Sequence, residues 1–115
     1  FNNPIKLGQH SGWVYSIIQI SDNIVVELSF QFALKVVLFC EVLDGKKKYV
    51  ISKQLLKSGT AIGANVKEAQ NAESKADFIH KMKIAMKEAD ETEFWLFLCN
   101  ELENYPNTEE LLFSA

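Results

Sequence analysis

The sequence predicts an all-α fold, an antiparallel up-and-down four-helix bundle with a shortened fourth helix. Three segments of helical length follow one another through short connections. Apolar or small residues recur within them at steps of three and four, and helix-starting and helix-ending signals separate them. With 115 residues, 48% of them hydrophobic, the chain is long enough for a single core.

The first twenty residues are interpreted as an extension of unknown role, and residues 21–115 as the bundle domain. Proline and glycine interrupt regular structure within the extension. Its WVY and IIQI stretches predict short extended pieces that end at Ile20. The apolar side chains of this extension are predicted to fill the gap that a short fourth helix leaves; they are Trp13, Tyr15, Ile17 and Ile18.

A first helix is predicted over Phe30–Leu43, where the chain has no helix breaker. The β-branched run Ile24-Val25-Val26 before it is predicted to be extended. Ser29 then becomes the N-cap, and Asp44-Gly45 stops the helix.

The later helices carry clearer signals. A second helix is predicted from Tyr49 to about Asn71, and a third from Lys75 to about Asn104. Ser74 and Asp77 form a capping-box pattern at the start of the third helix. A fourth begins near Thr108 and is cut short after about two turns.

Two glycines in the second helix predict a close helix contact. Gly59 and Gly63 lower helix propensity by about 2 kcal/mol together relative to alanine. With Ser58 they place small residues one turn apart, so a neighbouring helix can approach closely. The packing gained there is expected to exceed the propensity loss.

Asn65 lies beside the same stripe of small residues. A buried amide without a hydrogen-bond partner would cost roughly 1–3 kcal/mol. A polar partner across the bundle, Glu91 or Thr92, is therefore predicted.

Two of the predicted helices carry apolar residues around most of their circumference, which predicts that the protein assembles. Between Phe30 and Leu43 the only polar residues are Gln31, Lys35 and Glu41, and the third helix is apolar around most of its circumference near its end. Large exposed apolar patches are uncommon on soluble monomers, so another copy, the N-terminal residues or a partner should cover them. The residues predicted to contact other subunits are Phe32, Phe39, Trp95 and Leu98.

Charge is segregated along the chain, although the formal net charge is only −3. Residues 46–87 carry ten lysines and three acids, whereas residues 88–115 carry eight acids and no lysine. Within the third helix the lysines precede the acids, an order that opposes the helix dipole. A basic end and an acidic end would attract each other between subunits in a closed ring; the alternative is that these charges are solvated faces whose order is incidental.

The sequence offers no pattern for catalysis, metals or membranes. His10 and His80 are far apart and neither cysteine has a C-x-x-C partner, so no metal or other cofactor is expected. A nucleophile elbow and a phosphate-cradling loop are both missing, so the chain is predicted not to be an enzyme. Neither a membrane span nor a signal peptide is evident, which predicts a cytoplasmic protein whose Cys40 and Cys99 are buried free thiols.

A lysine strip along the second helix is the candidate nucleic-acid surface. It would bind phosphates without sequence preference and with strong salt dependence. The acidic total, the lack of arginine and the lack of an aromatic platform other than Tyr49 argue against it; in a ring, strips from several subunits would add together. The strip consists of Lys46, Lys47, Lys48, Lys53, Lys57 and Lys67, and Lys81, Lys83 and Lys87 could join it.

The stretch from Tyr49 to Leu96 resembles the bacterial four-helix-bundle family encoded in intervening sequences of 23S ribosomal RNA genes. Asp22-Val37 also looks like the first helix of that family, so the resemblance covers about residues 21–112. The matching positions are Gln54, Leu55, Lys57, Ser58, Thr60, Ile62, Asn65, Glu68, Ala69, Asp77, Phe78, Ile79, Lys87, Glu88, Ala89, Glu91, Phe94, Trp95 and Leu96.

This resemblance implies a left-handed four-helix bundle that assembles as a homopentamer and has no established enzymatic activity. A related member, the accessory variability protein of diversity-generating retroelements, binds nucleic acid and its reverse transcriptase through a basic pentamer surface. The function predicted here is a noncatalytic oligomeric scaffold that binds RNA or DNA through a lysine-rich ring surface. The alternative is a protein-interaction scaffold with no nucleic-acid role, and a small-molecule or metal-binding enzyme ranks third.

Overall fold

The computed structural model describes residues 12–114, and the surroundings of the side chains from residue 24 to residue 112. Over this part of the chain the fold is all-α, without a strand. The helices are α1 (Gly12–Gly45), α2 (Tyr49–Ala69), α3 (Lys75–Glu101) and α4 (Glu109–Ser114). α2 packs against both α1 and α3, and the short α4 contacts α1 and α3.

α1 begins earlier than predicted. The extended structure predicted for WVY, IIQI and Ile24-Val25-Val26 is wrong, because all three stretches are helical. Ser29 is not an N-cap but lies inside the helix, where its hydroxyl donates to the Val26 carbonyl at 3.0 Å. Isoleucine and valine disfavour a helix by only a few tenths of a kcal/mol, roughly, so continuation of α1 overrides their strand preference.

Residues 12–20 belong to one uninterrupted helix that spans Gly12–Gly45. The surroundings of their side chains lie outside the described residues, so the filling of the core gap by the N-terminal extension stays a prediction. Residues 1–11 lie outside the described residues. The division of the chain at residue 20 stays a prediction.

The turn between α1 and α2 places its left-handed residue at a lysine. Lys47 has φ 64°, while Gly45, the predicted stop, is the last helical residue. The Lys48 amide donates to the Leu43 carbonyl at 2.8 Å and the Lys47 amide to that of Asp44 at 2.9 Å. This pattern is a Schellman motif, which satisfies the carbonyls at the end of α1.

The starts of α2 and α3 are confirmed, and each helix ends two or three residues before its predicted end. The Ser74 hydroxyl oxygen accepts a hydrogen bond from the Asp77 amide at 3.0 Å. Asp77 Oδ2 in turn accepts from the Glu73 amide at 3.2 Å. The predicted cap is therefore present, with its return bond to the residue before Ser74.

The core lies between the inner faces of the helices. It consists of Phe32, Val36, Phe39, Cys40, Leu43, Leu55, Leu96, Cys99 and Leu111. Phe30, Leu34 and Val37 are exposed. The prediction that Phe32 and Phe39 contact another subunit is therefore wrong, because both are buried within their own chain.

The close approach predicted at the glycines of α2 is confirmed. An ideal β-carbon on Gly59 would lie 2.7 and 2.8 Å from the two methyl carbons of Val36. One on Gly63 would lie 3.2 Å from the backbone carbonyl oxygen of Ser29. α1 and α2 therefore approach each other at both glycines more closely than an alanine would allow without adjustment.

The polar contacts of the core differ from the prediction. Asn65 does not reach across the bundle to Glu91 or Thr92; its amide donates to the Ala61 carbonyl of its own helix at 2.8 Å, and Glu91 is exposed. Thr92 instead meets Ser58, with their hydroxyl oxygens 2.9 Å apart and both side chains fully buried. This contact removes the cost of burying two hydroxyl groups alone.

Candidate nucleic-acid interface

Three lysines of α2 form an exposed row, here called the lysine stripe: Lys53, Lys57 and Lys67. Lys53 and Lys57 are one turn apart, so their Cα atoms are separated by about 6 Å along the axis. From Lys57 to Lys67 the rise is about 15 Å. The stripe therefore presents positive charge over a length that a few nucleotides of an extended strand would cover.

The three turn lysines have different surroundings. Lys46 and Lys47 are exposed between α1 and α2. Lys48 is partly buried, and its Nζ lies 4.9 Å from the centroid of the Tyr105 ring. This cation–π contact joins the α1–α2 turn to the connection between α3 and α4. Lys46 and Lys47 are consequently the turn lysines best placed for an external anion.

The α3 lysines do not extend the stripe. Lys81 Nζ lies 3.8 Å from Glu68 Oε1, and this ion pair links α3 to α2. Lys83 and Lys87 are exposed on α3, a different helix from the stripe. The structure thus supports a surface on α2 and its preceding turn, without the addition from α3.

A groove opens between α1 and α2 beside the lysine stripe. It has a volume of about 380 Å³ and is here called the Phe30 groove. Phe30, Ala33 and Glu27 line it from α1, and Thr60, Gly63, Ala64 and Lys67 line it from α2. Sequence analysis missed it because the α1 and α2 residues are far apart in the chain. Its one local signal was the pair Gly63-Ala64, which leaves space outside the close helix contact.

Both cysteines are buried free thiols. Burial is the main reason that the pKa of Cys40 is raised to about 11, and a hydrogen bond from its Sγ to the Ser52 carbonyl lies within the same buried contact. Burial also raises the pKa of Cys99. Since the thiolate is the reactive form, neither side chain has the environment of a nucleophile.

The described residues contain no cluster of histidine, cysteine and carboxylate side chains able to hold a metal ion. In the same part of the chain, no helix has the length and apolar character that crossing a bilayer requires. The cytoplasmic location stays a prediction.

Four of the exposed apolar residues of α1 lie on one side of the helix, here called the α1 outer face: Leu28, Leu34, Leu38 and Val42. Of the residues predicted to contact other subunits, Trp95 and Leu98 are only partly buried, so a subunit contact through them stays a prediction. Trp95 stacks edge-on against the exposed Phe94, with ring centroids 5.2 Å apart.

Comparison with known proteins bears on this architecture. The family model described as 23S rRNA-intervening sequence protein matches residues 21–112. A similar crystal structure, at 1.70 Å resolution, is a protein of unknown function from the S23 ribosomal protein family of Bacteroides thetaiotaomicron VPI-5482. The two chains are 45% identical with a TM-score of 0.75, and the match covers 81% of this chain and 86% of that one. No curated protein matches the sequence.

Proposed function

Because this chain belongs to the 23S rRNA-intervening sequence protein family, we propose that it is a noncatalytic helical scaffold that assembles from several copies and binds RNA or DNA. The observation that carries the proposal is the lysine stripe, an exposed row of like charge along one helix of an acidic protein. Phosphate groups are the ligands that such a row attracts without base recognition.

The proposed scaffold is an antiparallel up-and-down four-helix bundle with a short fourth helix. The order of contacts between α1 and α2 supports this arrangement. Ser52 meets Cys40, Gly59 meets Val36, and Gly63 meets Ser29, so residue numbers fall along α1 as they rise along α2. Thr92 meets Ser58, and Lys81 meets Glu68, in the same opposed order between α3 and α2.

Assembly is proposed to bury the α1 outer face. Leu28 and Leu38 are 63% and 62% exposed, which is costly for leucine in water unless another surface covers it. The family resemblance implies five copies. Sedimentation equilibrium is expected to give a mass of several chains, and a Leu34→Glu/Leu38→Glu double variant to shift the protein toward single chains. Val50→Glu, at a 78% exposed position of α2, is the control that should leave the mass unchanged. A wild-type protein that sediments as one chain would remove the assembly proposal.

Binding through the lysine stripe predicts a specific response to salt. The Lys53→Gln/Lys57→Gln/Lys67→Gln variant is expected to bind a fluorescent single-stranded oligonucleotide about tenfold more weakly at low salt. The slope of log affinity against log salt concentration should also fall by about 2, since each lost phosphate contact on a single strand removes roughly 0.7. Fluorescence anisotropy across a salt series measures both quantities.

The matched control neutralises three exposed lysines of α3, Lys75, Lys83 and Lys87. It changes the net charge by the same amount, so a general electrostatic effect would weaken both variants equally. Equal weakening would contradict a localised stripe. Failure of the wild-type protein to bind any oligonucleotide at low salt would remove the nucleic-acid function.

The second candidate function is a protein-interaction scaffold without a nucleic-acid role. The observation that favours it is the extent of exposed apolar surface on α1 and α3, which exceeds what phosphate binding needs. Assembly without oligonucleotide binding would support this second function.

A further inference from the structure

The Phe30 groove has the features of a pocket for an unstacked nucleobase. Phe30 lines the groove and is 56% exposed, so an aromatic residue there is accessible to a ligand. Ala33, Gly63 and Ala64 contribute almost no side-chain volume and keep the groove open. A base that leaves its stack gains most from a flat aromatic surface of this kind.

The groove lies next to the lysine stripe, along which a nucleic-acid backbone is proposed to bind. Lys67 belongs both to the lysine stripe and to the lining of the groove. Between Lys57 and Lys67 the same side of α2 carries Thr60 and Ala64, and both of these line the groove as well. A nucleic-acid strand that follows the lysine stripe therefore passes the groove between Lys57 and Lys67.

The polar groups of the groove favour particular base edges. The Glu27 carboxylate is held by Gln31, whose Nε2 donates to Oε1 at 2.9 Å. The Thr60 hydroxyl donates its hydrogen to the Leu56 carbonyl at 2.7 Å, so its oxygen is left as an acceptor for a ligand in the groove. Both groups accept hydrogen bonds, and bases with an exocyclic amino group supply the matching donors. The carboxylate would repel phosphate, which keeps the backbone on the α2 side.

We propose that the Phe30 groove receives one base of a bound single strand, stacked on Phe30, with adenine and cytosine preferred over uracil. This inference rests on the proposed nucleic-acid function and adds to it a site on α1. It assigns a role to an aromatic residue outside the lysines. It also predicts a base preference that a row of lysines alone would not produce.

The test compares wild-type protein with Phe30→Ala in binding to homopolymer oligonucleotides of adenine, cytosine and uracil, each in RNA and DNA form. Phe30→Ala is expected to bind about tenfold more weakly, because stacking on an aromatic side chain contributes roughly 1–3 kcal/mol per base. The salt slope should stay at its wild-type value, since no charge is removed. Phe30→Trp should bind with the affinity of the wild type, because it keeps an aromatic side chain at this position. Wild-type affinity of Phe30→Trp beside weak binding of Phe30→Ala would assign the loss to the missing aromatic ring.

The matched control is Phe97→Ala, which removes a 52% exposed phenylalanine from α3, outside the groove. It should bind as the wild type does. Glu27→Ala should reduce the preference of the protein for adenine and cytosine over uracil. Equal binding of the three homopolymers by the wild type would overturn the base preference.

Failure of the inference is distinguishable from failure of the proposed function. If the lysine-stripe variant loses affinity and salt dependence while Phe30→Ala binds normally, the nucleic-acid function stands and the base pocket is refuted. If wild-type protein binds no strand at low salt, both are refuted.

Discussion

Replacing Gly59 with leucine is expected to destabilise the folded chain by about 3 kcal/mol or more. The first added carbon alone would lie 2.7 Å from a methyl carbon of Val36. Val36 is fully buried and its branched side chain is stiff, so it cannot turn aside without displacing core neighbours. This penalty exceeds the roughly 1 kcal/mol that helix propensity gains when leucine replaces glycine.

The control is the same substitution at Gly45, where an added β-carbon meets nothing within 4 Å. Gly45→Leu is expected to change the free energy of unfolding by no more than about 1 kcal/mol. Urea denaturation followed by circular dichroism, at one protein concentration, measures both variants. Equal stability of Gly59→Leu and the wild type would contradict the contact between α1 and α2.

Leu96→Ala should show the second large loss, about 3 kcal/mol. Leu96 is fully buried in the core, and its carbonyl accepts a hydrogen bond from the Thr108 hydroxyl at 3.2 Å. Shortening the side chain removes apolar contacts and leaves a cavity beneath the start of α4, where Leu111 joins the same cluster. The same denaturation experiment reports the loss.

Leu102→Ala is the matched substitution on the surface, because Leu102 is 43% exposed and lies just after α3. Its effect should be about 1 kcal/mol or less. If Leu96→Ala were as mild as Leu102→Ala, Leu96 would not be part of the core that the helices share.

The starts of α2 and α3 and the close contact at the glycines could be predicted from the sequence. In these places the residues that favour or disfavour a helix locally also indicate how the helices pack. The Ser74 hydroxyl oxygen caps α3 by accepting a hydrogen bond from the Asp77 amide, and Gly59 and Gly63 lower the stability of α2 taken alone, so both point to the folded structure. The conformation of the turn between α1 and α2 was harder to predict. Asp44-Gly45 was predicted to stop α1, but the left-handed residue of the turn is Lys47.

The start and the buried face of α1 could not be predicted for a common reason. The helix is apolar on every side, so periodicity does not distinguish Phe32 and Val36, which are buried, from Phe30 and Leu34, which are exposed. Only packing against α2 decides between these faces. The same apolar character made the residues before Ser29 resemble a strand.

The candidate site was predicted in part. Residues spaced by helical turns lie on the same side of a helix, so the lysine stripe on α2 could be predicted from the sequence. The pairing of Lys81 with Glu68 and the contact of Lys48 with Tyr105 depend on neighbouring helices. For the same reason, the proximity of Phe30 to Lys67 required the folded chain.

Cys40 and Cys99 cannot form a disulfide in this fold. Such a bond needs Cα atoms within roughly 7 Å of each other. Over the described residues, no Cα atom of α1 comes within 8 Å of one in α3. Both sulfur atoms thus share a core without the possibility of covalent linkage, and the connectivity of the chain stays the same in oxidising and reducing surroundings.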